Sequence, residues 1–369
     1  MPSLSVSKLV LSRTPIHVGP AVPAGHDRLG TITFARTQMT HYRICIQTSF
    51  AIAMVLSATI AIACNVPVFR YALERWRPDL CEVIVFHDGK LSDEQEQQLQ
   101  ALEKETIDQG GAANAEIRRS QIGTETDQKR KELWTSLRGQ PQVALPYIMM
   151  RTALGSGELV SHWRGRLEDA PKANLFHSPI RRELARRLLS GDSVVWLMLR
   201  SNDPGKNKAT RDLLKVELDR LGKKLQLPDG IGLPGSELYA EVPLFLKFTV
   251  LEIDPKDPQE LLLIKLMTGF ESDEKDEPLV APVFGRGRAL EVIPAKQINA
   301  GLVEDLTMFL CGACSCQVKE RNPGFDLLLS TNWNRELYGE DGETPPAVTT
   351  LERTPSTQTL LTIPPGRRK

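Results

Sequence analysis

Two stretches of this chain run through the same succession of local patterns, and that repetition limits the fold more than any single motif does. The first has an apolar strand at Cys81–Phe86, a turn at His87-Asp88-Gly89 and a polar helix from Ser92. Ser92 suits the N-cap of that helix, with Asp93 and Glu94 in its first turn. A strand near 115–122, a charged helix ending at Leu137, a proline-bearing strand over 142–150 and a strand near 159–167 follow. Ser178-Pro179 then opens a basic helix to Leu189. The second stretch has a strand at 193–200, a helix at 208–225, a strand at 244–253 and a helix at 258–267. A strand over 279–284 carries Pro282, turns at Gly285-Arg286-Gly287 and returns over 289–293. A last helix, from about Asn299 to Leu310, sets Leu302, Val303, Leu306, Phe309 and Leu310 on one face. Both read as strand, helix, strand, helix, proline-bearing strand, hairpin strand, helix. A chain of 369 residues has room for two such units. One larger α/β domain is the alternative reading.

The second stretch carries the more specific signal. After its first strand comes Asn202-Asp203-Pro204-Gly205-Lys206. This corner resembles the Cys-Gly-Pro-Cys-Lys of thioredoxin-like proteins, with Pro204 and Lys206 in register and Asn202 and Gly205 where the cysteines would stand. Element order resembles that family over about 80–191 and 192–318, and Pro146 and Pro282 match the proline that begins its third strand. The resemblance implies an α/β fold of tandem thioredoxin-like domains (β-α-β-α-β-β-α order) that lacks the nucleophile of a thiol-disulfide enzyme. In the first stretch no cysteine follows His87, and the region 92–137 is long.

The N-terminal region bears on location. Residues 44–63 form a nearly unbroken apolar run that ends Ala61-Ile62-Ala63 before Cys64. Read from Met39, with Arg43 as its basic end, this is a signal peptide; uncleaved, it is long enough to anchor the chain in a membrane. Residues 1–38 have no helical or strand period and read as a mis-assigned extension. Cys64 stands where a bacterial lipoprotein carries its lipid, although Ala61 and Ile62 depart from the usual sequence before that cysteine. Either way the expected location is exported: periplasmic, or membrane-anchored and facing out of the cytoplasm, where disulfides are permitted. Residues 1–63 hold five basic residues and one acid in a chain of zero net charge, so the body is mildly acidic and gives no electrostatic reason to bind nucleic acid.

Cys311-Gly312-Ala313-Cys314-Ser315-Cys316 is the one dense chemical motif. Three readings compete. Cys311 and Cys314 form a redox pair, although Cys311 falls at the end of a helix, where the dipole raises a thiol pKa. The three bind a soft metal, Zn or Cu, with a further ligand from Cys81, His87 or another chain. Or they are structural, with one disulfide inside the cluster and one to Cys81.

Other candidates are weaker. His87 is a polar turn residue or a catalytic one, and His162 reads as part of a sheet face. Arg181, Arg182, Arg186 and Arg187 make a basic helix face, solvated or set against acidic lipid. Asp229–Gly235 is a Gly-rich loop without a nucleotide-binding lysine. The expected organisation is 1–38 extension, 39–63 signal or anchor, 64–191 first domain, 192–338 second domain with the cysteine cluster, and 339–369 disordered tail. No catalytic or cofactor residue is assigned. The expected function is a redox-inactive binding or scaffold protein of the cell envelope, whose partner is another envelope protein. The alternative is a metal-binding or thiol-disulfide protein that uses Cys311, Cys314 and Cys316.

Overall fold

The computed structural model describes residues 65–154, 158–269 and 276–340. The extension, the signal or anchor run, Cys64 and all but the first two residues of the expected tail lie outside the described residues. Among the described residues no helix is long and apolar enough to cross a membrane.

Two mixed sheets organise the chain. The first has strands β1 (Cys81–His87), β2 (Ala115–Gln121), β3 (Tyr147–Ala153) and β4 (Leu159–Arg166) in the order β2-β1-β3-β4. β1 and β2 are parallel, while β3 is antiparallel to both of its neighbours, β1 and β4. The second uses β5 (Val194–Leu199), β6 (Phe248–Ile253), β7 (Leu279–Phe284), β8 (Arg288–Ala289), β9 (Ile293–Pro294) and β10 (Phe325–Asp326). Its order is β10-β8-β7-β5-β6, with β9 also on β7. β5 and β6 are parallel and β7 is antiparallel to β5. This is the arrangement of the first sheet over again.

Strand sequences explain why both faces of each sheet are covered. In β5, Val195, Leu197 and Leu199 enter one core, and Val194, Trp196 and Met198 enter another on the opposite face. A period of two with no polar phase is what a strand buried on both faces requires. β1 divides the same way, with Val83 and Val85 on one side and Ile84 and Phe86 on the other.

The helices supply the covering layers. α1 (Val68–Arg75) comes first among the described residues. α2 (Asp93–Glu105) and α3 (Gln128–Leu137) cover opposite faces of the first sheet through Leu99 and Leu102 and through Leu137. α2 begins as expected: Ser92 and Gln95 form a reciprocal capping box. A short α4 (Ala170–Ala173) follows β4, then α5 (Pro179–Leu189). Around the second sheet lie α6 (Pro204–Lys224), α7 (Leu261–Thr268), α8 (Ala300–Cys311), α9 (Cys316–Arg321) and α10 (Trp333–Tyr338).

Several expectations need correction. The strand expected from Gln142 begins only at Tyr147. The strand expected over 289–293 is two short pairings: Ala289 opposes Val283, but Ile293 opposes Val280. The register slips by one residue between them, a bulge that bends the strand. Pro282 is not the counterpart of Pro146. Pro146 follows a cis peptide and directly precedes β3, whose Tyr147 opposes Phe86. In the second sheet Leu279 opposes Leu199, so the residue in the matching place is Pro278, while Pro282 sits inside β7 opposite Trp196.

Packing crosses the expected boundary between residues 191 and 192. α1 precedes the first sheet in sequence, yet Val68, Phe69, Tyr71 and Ala72 belong to the core of the second sheet with Trp196, Leu214 and Leu306. α5, expected to close the first domain, buries Leu184, Ala185 and Leu188 against the second sheet. Leu328, beyond β10, reaches back into the core of the first. There the Asn114 side chain donates to the carbonyls of Asp79 and Leu327 and accepts from the Leu329 amide. The halves are interlocked through their terminal segments.

The candidate site: two strand-to-helix corners and a cysteine segment

The corner between β5 and α6 is closed by polar contacts. Asp203 is the N-cap of α6, and its Oδ1 accepts from the amides of Gly205 (2.8 Å) and Lys206 (3.1 Å). The helix therefore starts at Pro204, four residues before the expected Lys208. Asn207 braces the turn, its Oδ1 accepting from the Ser201 amide and its Nδ2 donating to the Ser201 carbonyl. Asn202 is exposed. Lys206 crosses to the segment before β7, pairing with Glu277 and donating to the Asp276 carbonyl at 3.2 Å. The Glu277 carboxylate holds the Lys206 pKa above its ordinary value. This corner thus contains a capping carboxylate and an ion pair.

The matching corner of the first half, between β1 and α2, holds no thiol either. His87 Nδ1 lies 2.9 Å from the Gly89 carbonyl, in its own turn.

The cysteine segment lies elsewhere. Cys311 ends α8 and is buried, as is Cys314, while Cys316 starts α9 and is exposed. None of Cys81, Cys311, Cys314 or Cys316 is in a disulfide. Gly312 is extended (φ −72°, ψ 164°) and Ala313 pairs with Pro67 in an antiparallel bridge. The Val68 amide donates to the Gly312 carbonyl and the Cys314 amide to the Val66 carbonyl. Gly312 and Ala313 separate Cys311 from Cys314, and these two buried thiols are not bridged to each other. Burial pushes the Cys311 thiol up to about 12, so it is protonated at neutral pH. Cys81 lies in a different core, so the bridge from the cluster to Cys81 is not formed. Among the described residues no three His, Cys, Asp or Glu side chains converge on a point where a metal would sit.

A buried polar group that the sequence did not disclose lies between the halves. Cys81 Sγ is 3.7 Å from His162 Nε2, and both are inside the protein. Burial raises the Cys81 thiol to about 12 and lowers His162 to about 4. Thiol and imidazole are therefore both neutral near pH 7, unlike the thiolate–imidazolium pair of a cysteine nucleophile. Arg181 stands beside them. Burial brings it down to about 10, while the Glu260 charge opposes that shift. It donates to the carbonyls of Leu175 and Leu328 and to Ser178 Oγ, and Glu260 accepts from Ser178 Oγ and the Ile180 amide. The basic face of α5 is therefore broken: Arg181 points inward, and Arg186 and Arg187 pair with Glu183. A four-arginine surface for acidic lipid does not form.

Arg288 closes the seam on the other side. It pairs with Asp326 at 2.5 Å, contacts Asp79 at 3.3 Å and donates to the carbonyls of Asn322, Pro323 and Gly324. The one spacing that signals such buried charge in the sequence is Arg70 and Glu74, four residues apart on a largely apolar helix.

No family model matches this chain, and no curated protein does. Among solved structures it is similar to the first two thioredoxin domains of Naumovozyma dairenensis Eps1p, with 10% identity over 65% of this chain and 93% of that one, at a TM-score of 0.20.

Proposed function

We propose that this protein is a redox-inactive, thioredoxin-like scaffold or binding protein. It is held at the outer side of a membrane, or exported past it, and its partner is another protein of that compartment. The observation that carries the reading is the corner at Asp203–Lys206. A thioredoxin-like enzyme needs a thiol at this helix N-terminus, where the dipole favours thiolate. Here that position is capped by Asp203, and Lys206 is engaged by Glu277. The thiols the chain does carry support the same reading, because Cys81 and Cys311 are buried and held protonated. The export reading is supported by the apolar run at 44–63 and the cysteine after it.

The test is disulfide reductase turnover on insulin with dithiothreitol or thioredoxin reductase as electron donor. The wild-type chain is expected to match the no-protein background, as is a variant with Cys311, Cys314 and Cys316 all replaced by Ser. Turnover in the wild type that this variant loses would contradict the proposal and make the cysteine segment the active centre.

A further inference from the structure

Asn65 is where the described chain begins, and it is held firmly. Its amide donates to Ser236 Oγ at 2.9 Å. A side chain at Gly230 would meet the Asn65 amide group at 2.9 Å, so the loop 230–236 wraps directly around this entry point. Within that loop the Leu233 amide donates to the Gly230 carbonyl, the Ser236 amide to the Leu233 carbonyl, and the Gly232 amide to the Ser236 carbonyl. These bonds hold Leu233 at the tip of a tight turn, with 61% of its surface in solvent. Ordered, apolar and exposed is a costly state for a leucine side chain in water. Beside the loop, Arg75 lies 4.9 Å over the Tyr239 ring.

The tether fixes what this face can meet. Only Cys64 separates Asn65 from the apolar run that ends at Ala63. Two residue steps span about 7 Å at full extension. Either anchor, a span ending at Ala63 or a lipid on Cys64, would hold Asn65, and the loop wrapped around it, close to the headgroups. We propose that the Gly230–Ser236 loop is a membrane-docking surface whose Leu233 side chain inserts into the phospholipid interface. Arg75 and Tyr239 flank it at headgroup level, where aromatic rings and guanidinium groups are favoured. Asp229 and Glu237 adjoin the same loop, so insertion of Leu233, not net charge, drives the contact. This rests on the reading above that the N-terminal region holds the chain to a membrane.

The experiment uses the full chain reconstituted into vesicles of phosphatidylcholine and phosphatidylglycerol, with and without bromine on the acyl chains. Flotation reports attachment. Leu233→Trp reports insertion, and Ile107→Trp, at an exposed site of the first half, is the control. Neither site is in a core, and wild-type emission from the five native tryptophans is subtracted. The expected result is that all variants float and the indole added at 233 shifts to the blue and loses most of its emission to bromine, while the one at 107 does neither. If the protein floats and the two indoles are quenched alike, the docking face is wrong and the anchor stands. If the protein stays at the bottom of the gradient, the anchor and the docking face both fall.

Discussion

A thiol becomes reactive when its surroundings favour thiolate, and Cys81 and Cys311 sit where burial does the reverse. The same physics makes His162 a sensor of acid. Its pKa is lowered to about 4 by burial, against 6.5 in the unfolded chain. The neutral ring is the form that fits, so its contribution to stability is complete above pH 6.5 and is lost as pH falls from there toward 4. The difference amounts to ~3 kcal/mol at most. Urea denaturation between pH 7 and pH 4 is expected to show this loss, and His162→Gln is expected to flatten the profile. At the corner, Asp203→Ala leaves two helix amides without an acceptor, and the same measurement at pH 7 is expected to show a loss of about 1 kcal/mol. Residue roles of the first kind were not legible in the sequence. Cys81 and His162 are 81 positions apart, and nothing in either local pattern says that β1 and β4 bring them together. The strand-to-helix corner at 202–206 was legible, because the motif is local and the strand before it is unmistakably apolar.

Elements were read best where one pattern dominates. α2, α5 and α8 begin at the capping residues Ser92, Ser178 and Asn299, as their sequences imply. β1, β5 and β7 are apolar enough to admit no other reading. What failed depended on pairing partners. Pro282 resembles a strand-opening proline only until the register with Leu199 is known. Gly285 and Gly287 show the value of context at a turn. Both have positive φ, and a methyl group would lie 2.6 Å from Ala72 Cβ at the first and 2.2 Å from Leu329 at the second. The turn therefore joins β7 to β8 as a hairpin, and its glycines let α1 and the segment after β10 approach. Gly287→Ala is expected to lower the thermal midpoint, through strain and contact together. In α6, Leu214, Leu218 and Leu221 make one buried stripe. Leu214→Ala is expected to cost 2–5 kcal/mol, roughly, in denaturant unfolding.

At the scale of the molecule, the interlock decides behaviour. α1 packs into the core of the second sheet, and Arg286 ties two carbonyls of its last turn, those of Leu73 and Glu74, to Asn334 in α10. The segment after β10 then closes on Asn114 of the first half. Element order implied two equal units; it carried no sign that α1 and the segment after β10 would be exchanged between them, because burial of α1 is equally consistent with either core. The described body is expected to unfold in one cooperative transition, seen alike by fluorescence and far-ultraviolet circular dichroism. The central claim is that no thiol is presented for chemistry at an active position. Its most direct test is alkylation of the native protein followed by peptide mass mapping. Among Cys81, Cys311, Cys314 and Cys316, only Cys316 is expected to react before unfolding, with the other three protected until denaturant is added. Rapid native alkylation of Cys311 or Cys314 would contradict the claim and return the cysteine segment to the centre of the protein's chemistry.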